Sequence, residues 1–276
     1  MSHNHQKKIA VINDLSGFGR CSIAVALPLI SHLGVQCCPL PTAIFSNHTG
    51  FNSFYFDDYT HSMGPYMAEW EKLGLEFEGI LTGFLGSEQQ IGLVEQFIET
   101  FSTERTTVIM DPVMGDNGRP YATYTPELCQ EMKRLVRHAD ILTPNLTEAC
   151  ILTDTPYQVW FSEGQLLDMA RRLCDQGPEK VVVTGVPRGA YLENYCYEQE
   201  GGPAVQRTQR ISPQRSGTGD VFASIVAAGT VRGVPFAKCV KTAAEFIKIC
   251  LKRSSELDIP TTDGVCFEEV IGKLHF

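Results

Sequence analysis

The sharpest chemical signal in the chain is Ser216-Gly217-Thr218-Gly219-Asp220, followed by the small, apolar run VFASIVAAGTV. The run suits a buried helix, and the two glycines let backbone N–H groups converge where that helix starts. A helix start attracts anions through its free N–H groups and its dipole. A carboxylate in the same turn can take a proton from a hydroxyl while the amides hold a phosphoryl group. On this reading Asp220 is a base, and Gly217, Thr218 and Gly219 form an anion cradle. The plainer alternative is a turn in which Ser216 or Asp220 caps the helix.

Three other segments carry chemistry-bearing side chains. Asp111-Pro112-Val113-Met114-Gly115-Asp116, with Asn117-Gly118 after it, offers a carboxylate to a hydrated Mg²⁺, and its glycines could make a flap running through Tyr124. DPV and NG are also ordinary turn sequences. In Thr143-Pro144-Asn145-Leu146-Thr147-Glu148 the asparagine can open a helix, with Glu148 placed for a capping box. The chemical reading puts Asn145 and Glu148 beside Mg²⁺ and nucleotide phosphates. In Phe45-Ser46-Asn47-His48-Thr49-Gly50, Phe45 could lie on a flat ring while Ser46 or Thr49 bonds to its edge. For His48 a satisfied loop histidine is the simpler account. No GxxxxGK[ST] loop occurs, and Gly17-Phe18-Gly19 lacks a third glycine because Ser22 stands there, which disfavours P-loop enzymes and dinucleotide-dependent dehydrogenases.

These segments need elements to position them. Apolar runs predict strands over 8–13, 35–41, 78–82, 107–111, 140–143 and 180–184, with paired edge strands over 189–197 and 204–210. Helical spacing predicts helices over 20–33 (interrupted at Pro28), 61–73, 87–101, 125–138, 145–152, 163–175, 218–232 and 235–252. Such alternation implies an α/β fold: a mostly parallel central sheet with helices on both faces, here as one domain over 1–276. Ligands of such sheets bind at the carboxyl ends of strands. Asp14, Asp111, Asn145 and Thr184 fall at those ends, and Asp220 on a loop entering a helix.

The 276 residues are 43% hydrophobic and 20% charged, with a net charge of −9, which argues against nucleic acid or an acidic membrane as partner. No eighteen-residue apolar run suggests a membrane span, and the polar start MSHNHQKK shows no secretory signal, so the cytoplasm is expected. Ten cysteines form no CxxC pair and sit mostly in apolar segments, as core residues do.

FSNHTG, DPVMGD, TPNLTEA and SGTGD, in this order, resemble the pyridoxal kinases of the ribokinase-like superfamily, over about Lys8 to Cys250. FSNHTG is the specific element; SGTGD and TPN mark the superfamily, and DPVM is shared with hydroxymethylpyrimidine kinases. The resemblance implies a three-layer fold with a small flap over the site, and ATP-dependent phosphorylation of the 5′-hydroxymethyl group of a B6 vitamer. It implies Asp220 as base and Gly217, Thr218 and Gly219 as anion hole. Asp111, Asp116, Asn145 and Glu148 would lie near Mg²⁺ and the phosphates, with Asp111 and Glu148 toward the metal. Thr143 and Thr184 would contact nucleotide; Phe45, Ser46, Thr49 and Phe84 would line the vitamer pocket. A homodimer is also implied. Two departures stand out. Asp14 falls where these kinases usually carry a pocket serine, in a DLSGFG stretch similar to the DPSGG-like segment of hydroxymethylpyrimidine kinases, and Phe84 stands where tyrosine is frequent. Asp14 is expected to favour an amine such as pyridoxamine, because a carboxylate pairs with an ammonium. Hydroxymethylpyrimidine kinase, a non-catalytic vitamer- or nucleotide-binding protein, and sugar kinase are the competing readings.

Overall fold

A strand buried on both faces must be apolar at successive positions. Ile9-Ala10-Val11-Ile12 and Val181-Val182-Val183 meet that demand. In the computed structural model, which describes residues 2–121 and 123–276, they lie in β1 (Lys8–Phe18) and β9 (Lys180–Arg188). Ile9, Val11 and Val182 enter one core; Ala10, Ile12, Val181 and Val183 enter the other.

Between and after them come α1 (Ser22–His32), β2 (Gln36–Asn47), β3 (Phe56–Asp58), α2 (Thr60–Lys72), β4 (Gly79–Thr82), α3 (Glu88–Phe101), β5 (Thr107–Met110), β6 (Gly115–Asp116), β7 (Arg119–Pro120), α4 (Pro126–Val136), β8 (Ile141–Leu142), α5 (Leu146–Leu152), α6 (Glu163–Cys174), β10 (Tyr191–Glu198), β11 (Gly202–Gln209), α7 (Thr218–Val231) and α8 (Phe236–Glu256). One sheet runs β11-β10-β9-β8-β5-β4-β1-β2-β3. It is parallel from β9 to β2 and antiparallel at both edges. Helices α1, α7 and α8 pack on one face, α2 to α6 on the other, which gives the three expected layers. The Val231 side chain would lie 2.8 Å from a Cβ at Gly79, so α7 lies close on the sheet.

Most predicted elements are present, with four differences. First, α1 runs through Pro28 without interruption. Proline removes a bond to the carbonyl four residues back, but Leu27 and Pro28 lie on the outer side of α1, where water can serve that carbonyl. Second, β2 continues through Phe45, Ser46 and Asn47, so only His48-Thr49-Gly50 is loop. Third, β3 is an additional edge strand. Fourth, β6 and β7 pair as a separate two-stranded hairpin. The cysteines are all unpaired, and most are buried, as core residues should be. Among the described residues no helix is long and apolar enough to cross a membrane.

The helical layer over α3 rests on an aromatic stack in which Phe97 meets Phe101 at 4.5 Å and Phe77 at 5.8 Å between ring centroids. Phe97 is fully buried. Truncation Phe97→Ala is expected to cost about 3–5 kcal/mol, read as a lower denaturant midpoint.

Candidate active site

The site begins with an irregularity in the sheet. The β1–β2 register shifts between Asn13 and Leu15, and such a bulge re-aims side chains. Asn13 and Asp14 are both buried there. Asn13 Nδ2 donates to Asp220 Oδ1 at 3.3 Å, while Asn13 Oδ1 accepts from the amides of Asp14 at 2.9 Å and Phe84 at 2.8 Å. A Cβ at Gly83 would lie 2.4 Å from Asn13 Nδ2, so glycine is required beside it.

Asp220 stands in the first turn of α7. Gly217 caps the helix at φ +82°, and no side chain closes the end. A Cβ at Gly217 would lie 1.8 Å from the Arg20 carbonyl oxygen, so the loop is seated directly on the β1–α1 turn. Helical bonding starts with Val221 N–H to Gly217 O, which leaves the Thr218 and Gly219 amides at the open end. Ser22, at φ +54°, bridges two carboxylates: its N–H bonds Asp220 and its Oγ donates to Asp14 Oδ1 at 2.5 Å. A left-handed serine is strained, and such strain gathers at functional sites. Burial pushes the Asp220 carboxyl up to about 6; the Asp14 charge adds to this, and bonds from Ser22 N–H and Asn13 oppose it.

Across from Asp220 lies a second acidic group. Asp111 follows β5, and its Oδ2 would be 3.6 Å from a Cβ at Gly219. Thr143 Oγ1 donates to Asp111 Oδ1 at 3.4 Å. Burial, then the Asp220 charge, pushes Asp111 up to about 8. Glu148 is buried, and burial followed by the Asp111 charge raises its carboxyl well above the usual range. Asn145 and Glu148 form the capping box of α5: Asn145 Oδ1 accepts from Glu148 N–H at 3.0 Å, and Glu148 Oε2 accepts from Asn145 N–H at 2.8 Å. The capping role therefore holds, and the same residues reach further. Glu148 Oε1 accepts from Met114 N–H at 3.2 Å, and Asn145 Nδ2 donates to Gly115 O at 2.8 Å. Thr184 joins them through its N–H to Pro144 O at 2.8 Å.

Met114 and Gly115 lead into the β6–β7 hairpin. Asn117 at φ +52° and Gly118 at φ +78° form its two-residue turn, as an Asn-Gly hairpin requires. Gly118 N–H bonds Thr147 Oγ1 at 2.8 Å. Asp116 is exposed and accepts from Asn117 N–H at 2.7 Å, so here it braces the turn rather than facing Asp111. The hairpin is the expected flap; Ala122, in the stretch leading to Tyr124, lies outside the described residues.

The vitamer-pocket expectations divide. Phe45 is buried among Phe56 at 4.9 Å, Phe54 at 5.7 Å and Phe84 at 6.0 Å. Phe84 is half-buried and faces Tyr124 at 6.4 Å. Ser46 is exposed on β2, where its Oγ donates to Asn47 Oδ1 and accepts from Tyr55 N–H. Thr49 is exposed in the following loop. His48 Nδ1 accepts from Gly50 N–H, so Nε2 donates to Thr262 O at 2.7 Å, which is the satisfied loop histidine. Asp14 differs from expectation. It is 5% exposed, its oxygens accept from Ser16 and Ser22, and burial raises its carboxyl. Both oxygens are engaged by hydroxyls, and one of those bonds holds Ser22.

The structure thus links Asp220, Gly219, Asp111, Thr143, Glu148, Asn145 and Thr184 around one end of the sheet. Ser46, Thr49 and Asp116 make no bond to that group among the described residues. Asn13, Ser22 and Gly83 belong to it and were not singled out from sequence. Asn13 breaks an apolar run at a strand end, the one local signal that marked it.

Two outcomes follow from this geometry. Gly217→Ala puts a methyl group into the Arg20 carbonyl at a left-handed φ, and should displace Asp220; the expected result is turnover reduced at least tenfold, with a lower melting temperature. Asp14→Ser should leave the pyridoxamine-to-pyridoxal ratio unchanged while lowering turnover with both, because it loosens Ser22 rather than a substrate contact. A changed ratio in a product assay refutes this.

The profile of the phosphomethylpyrimidine kinase family matches residues 30–263. A Caenorhabditis elegans protein named as a candidate pyridoxal kinase is 32% identical over 238 residues, 78% of this chain and 70% of that protein. A solved structure of a candidate phosphomethylpyrimidine kinase from Bacteroides thetaiotaomicron, in a crystal form with pyridoxal, is 37% identical, covers 98% of this chain and 96% of its own, and has a TM-score of 0.94. Pyridoxal kinase from Lactobacillus plantarum is 26% identical with a TM-score of 0.89, covering 97% of this chain and 96% of its own. The chain belongs to the phosphomethylpyrimidine kinase family, and within it stands with the pyridoxal kinases of the ribokinase-like superfamily.

Proposed function

We propose that this chain transfers the γ-phosphoryl group of ATP to the 5′-hydroxymethyl oxygen of a B6 vitamer, giving the 5′-phosphate. The observation that carries the reading is the half-buried Asp220 carboxylate beside an uncapped helix end. Asp220 takes the hydroxyl proton as the oxygen attacks phosphorus. The Thr218 and Gly219 amides hold the transferring phosphoryl oxygens without reorganising, which is the main demand of phosphoryl transfer. Asn13 and Ser22 hold the base in place. Phe45 and Phe84 supply apolar surface for a flat ring, with Ser46 and Thr49 near its edge. Thr143, Asn145 and Thr184 face the nucleotide. Closure of the hairpin carrying Asp116 would exclude water as competing acceptor. A vitamer-bound relative at 37% identity supports the acceptor class.

Mg²⁺ fits the residues present. Asp111 is close enough to raise the Glu148 carboxyl, Asp220 raises Asp111 in turn, and neither Asp111 nor Glu148 is bonded to a cationic side chain among the described residues. A cation relieves that repulsion. No cluster of three or more acidic, histidine or cysteine ligands exists among the described residues. That suits an ion held by waters and phosphates with only one or two carboxylates. When bound it would neutralise phosphate charge. The proposal includes a cytoplasmic homodimer within which each chain acts as one domain. Ten unpaired cysteines fit a reducing compartment, and the exposed aromatics Phe18, Phe54, Tyr55 and Phe56 near the β3 edge offer apolar surface for a second copy.

The test is incubation with Mg-ATP and pyridoxal, pyridoxine, pyridoxamine or hydroxymethylpyrimidine, with phosphate esters identified by mass. A dominant B6 5′-phosphate is expected; exclusive phosphorylation of hydroxymethylpyrimidine would overturn the acceptor assignment. Asp220→Asn should bind ligand but lose about 10²-fold or more in kcat. The base works as the carboxylate, so the wild-type rate should hold above, and fall as pH drops through, about 6. That limb should be missing in the residual activity of Asp220→Asn.

A further inference from the structure

Beside the two carboxylates lies a small cavity that the mechanism above does not use. Its volume is about 10 Å³, and its polar lining is Asn13, Thr82, Asp111, Asp220 and Ser224. Ser224 is one helical turn beyond Asp220 on α7, is 0% exposed, and its Oγ has no hydrogen-bond partner within the protein. A buried hydroxyl left unpaired is costly, and a helical serine can normally return its proton to the carbonyl four residues back. This one faces the cavity instead. The size matches one water molecule, which needs two to four polar partners. Asn13 is already committed, with its oxygen taken by two amides and its Nδ2 turned to Asp220. The remaining polar lining is the Ser224 and Thr82 hydroxyls and two carboxylates, among which a single water can accept from the unpaired Ser224 hydroxyl and donate to both carboxylates.

We propose that a water molecule is built into this cavity, accepting from Ser224 Oγ and donating to the Asp111 and Asp220 carboxylates, and that Ser224 is through it a positioning residue for the base. The water ties the base to the acidic group opposite, so the two keep their spacing when substrate arrives. The positioning role rests on the proposed kinase reading; the water itself does not.

The experiment combines a crystal structure of the ligand-free wild type at about 1.5 Å with the variants Ser224→Ala and Ser224→Val. A density peak about 2.6–3.2 Å from Ser224 Oγ and from both carboxylates is expected. No peak, or contacts near 2.4 Å that mark a metal cation, would overturn the water. Ser224→Ala should not melt above wild type, because the hydroxyl it removes is satisfied. A higher melting temperature means the hydroxyl was an orphan, and refutes the proposal. Ser224→Val fills the space and should lower kcat about tenfold with KM for vitamer and ATP within about twofold, since neither substrate touches it. Equal kcat in all three proteins refutes the positioning role. If valine does not fold, Ser224→Ala decides through the same kcat–KM split. A wild type with no B6-kinase activity would refute the function and leave density and melting to decide the water.

Discussion

Everything at this site depends on a contact with no room for a side chain. Gly217 lies against the Arg20 carbonyl so closely that a Cβ would sit 1.8 Å from it. Gly264 also closes on this residue, where a Cβ would be 2.8 Å from the Arg20 side chain and 2.9 Å from the same carbonyl oxygen. The β1–α1 turn is therefore seated against two backbone segments from late in the chain. That seating brings the open end of α7 over the bulge in β1. Asn13 and Ser22 can then reach Asp220, although Asn13 is 207 positions away in sequence. Backbone-to-backbone seating suits this purpose because it has no rotamers to relax. The angle of the base is set by packed main chain, not by a long side chain.

The seat concentrates negative charge in a place of low dielectric. Asp220, Asp111 and Glu148 are each raised by burial first, and each by a neighbouring carboxylate as well. A group with a raised carboxyl is more easily protonated in the folded chain than in the unfolded one, so these residues oppose folding as pH rises above the ordinary carboxylate range. The fold tolerates this because two large cores enclose the sheet on both faces. The same repulsion makes the site receptive to a cation near Asp111 and Glu148. At Asp220 burial, with the Asp14 charge adding to it, lifts a carboxyl to about 6, where it is still ionised at neutral pH yet basic enough to accept a proton.

How much of this was legible in sequence follows from how local each signal is. KVVVT and the spacing over 163–175 identify an inner strand and a helix because their pattern lies within a few neighbours. SGTGD was legible for the same reason: glycine freedom, helix start and carboxylate all fall within one turn. The capping box at Asn145 and Glu148 was legible too, but only as a cap; that it also holds the hairpin depends on Met114 and Gly115 arriving from elsewhere. Asn13 and Ser22 gave little away because their roles arise only when distant segments meet. The hairpin strands have two residues each, too few for periodicity, although Asn117-Gly118 between them carries the turn chemistry. At Asp14 the residue type suggested a charge partner, and its burial between two serines was not legible because Ser22 reaches it only through the fold.

The capping box also ties the hairpin to the sheet side of the site. Toward the sheet, Asn145 and Glu148 bond each other, and Thr184 bonds the adjoining Pro144, so this end of α5 is pinned. Toward the hairpin, three bonds leave from the same turn: Glu148 to Met114, Asn145 to Gly115 and Thr147 to Gly118. Behind the hairpin is a groove of about 530 Å³ walled by Gly118, Pro120, Tyr124 and Tyr157, so that side of the hairpin is not packed into a core. The hairpin is held by α5 both at its base and at its turn, while Asp220 is held from the opposite direction by Asn13 and Ser22. Base and flap are thus anchored to different parts of the chain, and Asp111 lies between them. The seating of Asp220 therefore does not depend on the hairpin's contacts, and a site built this way keeps its base positioned whatever the hairpin's own bonds are.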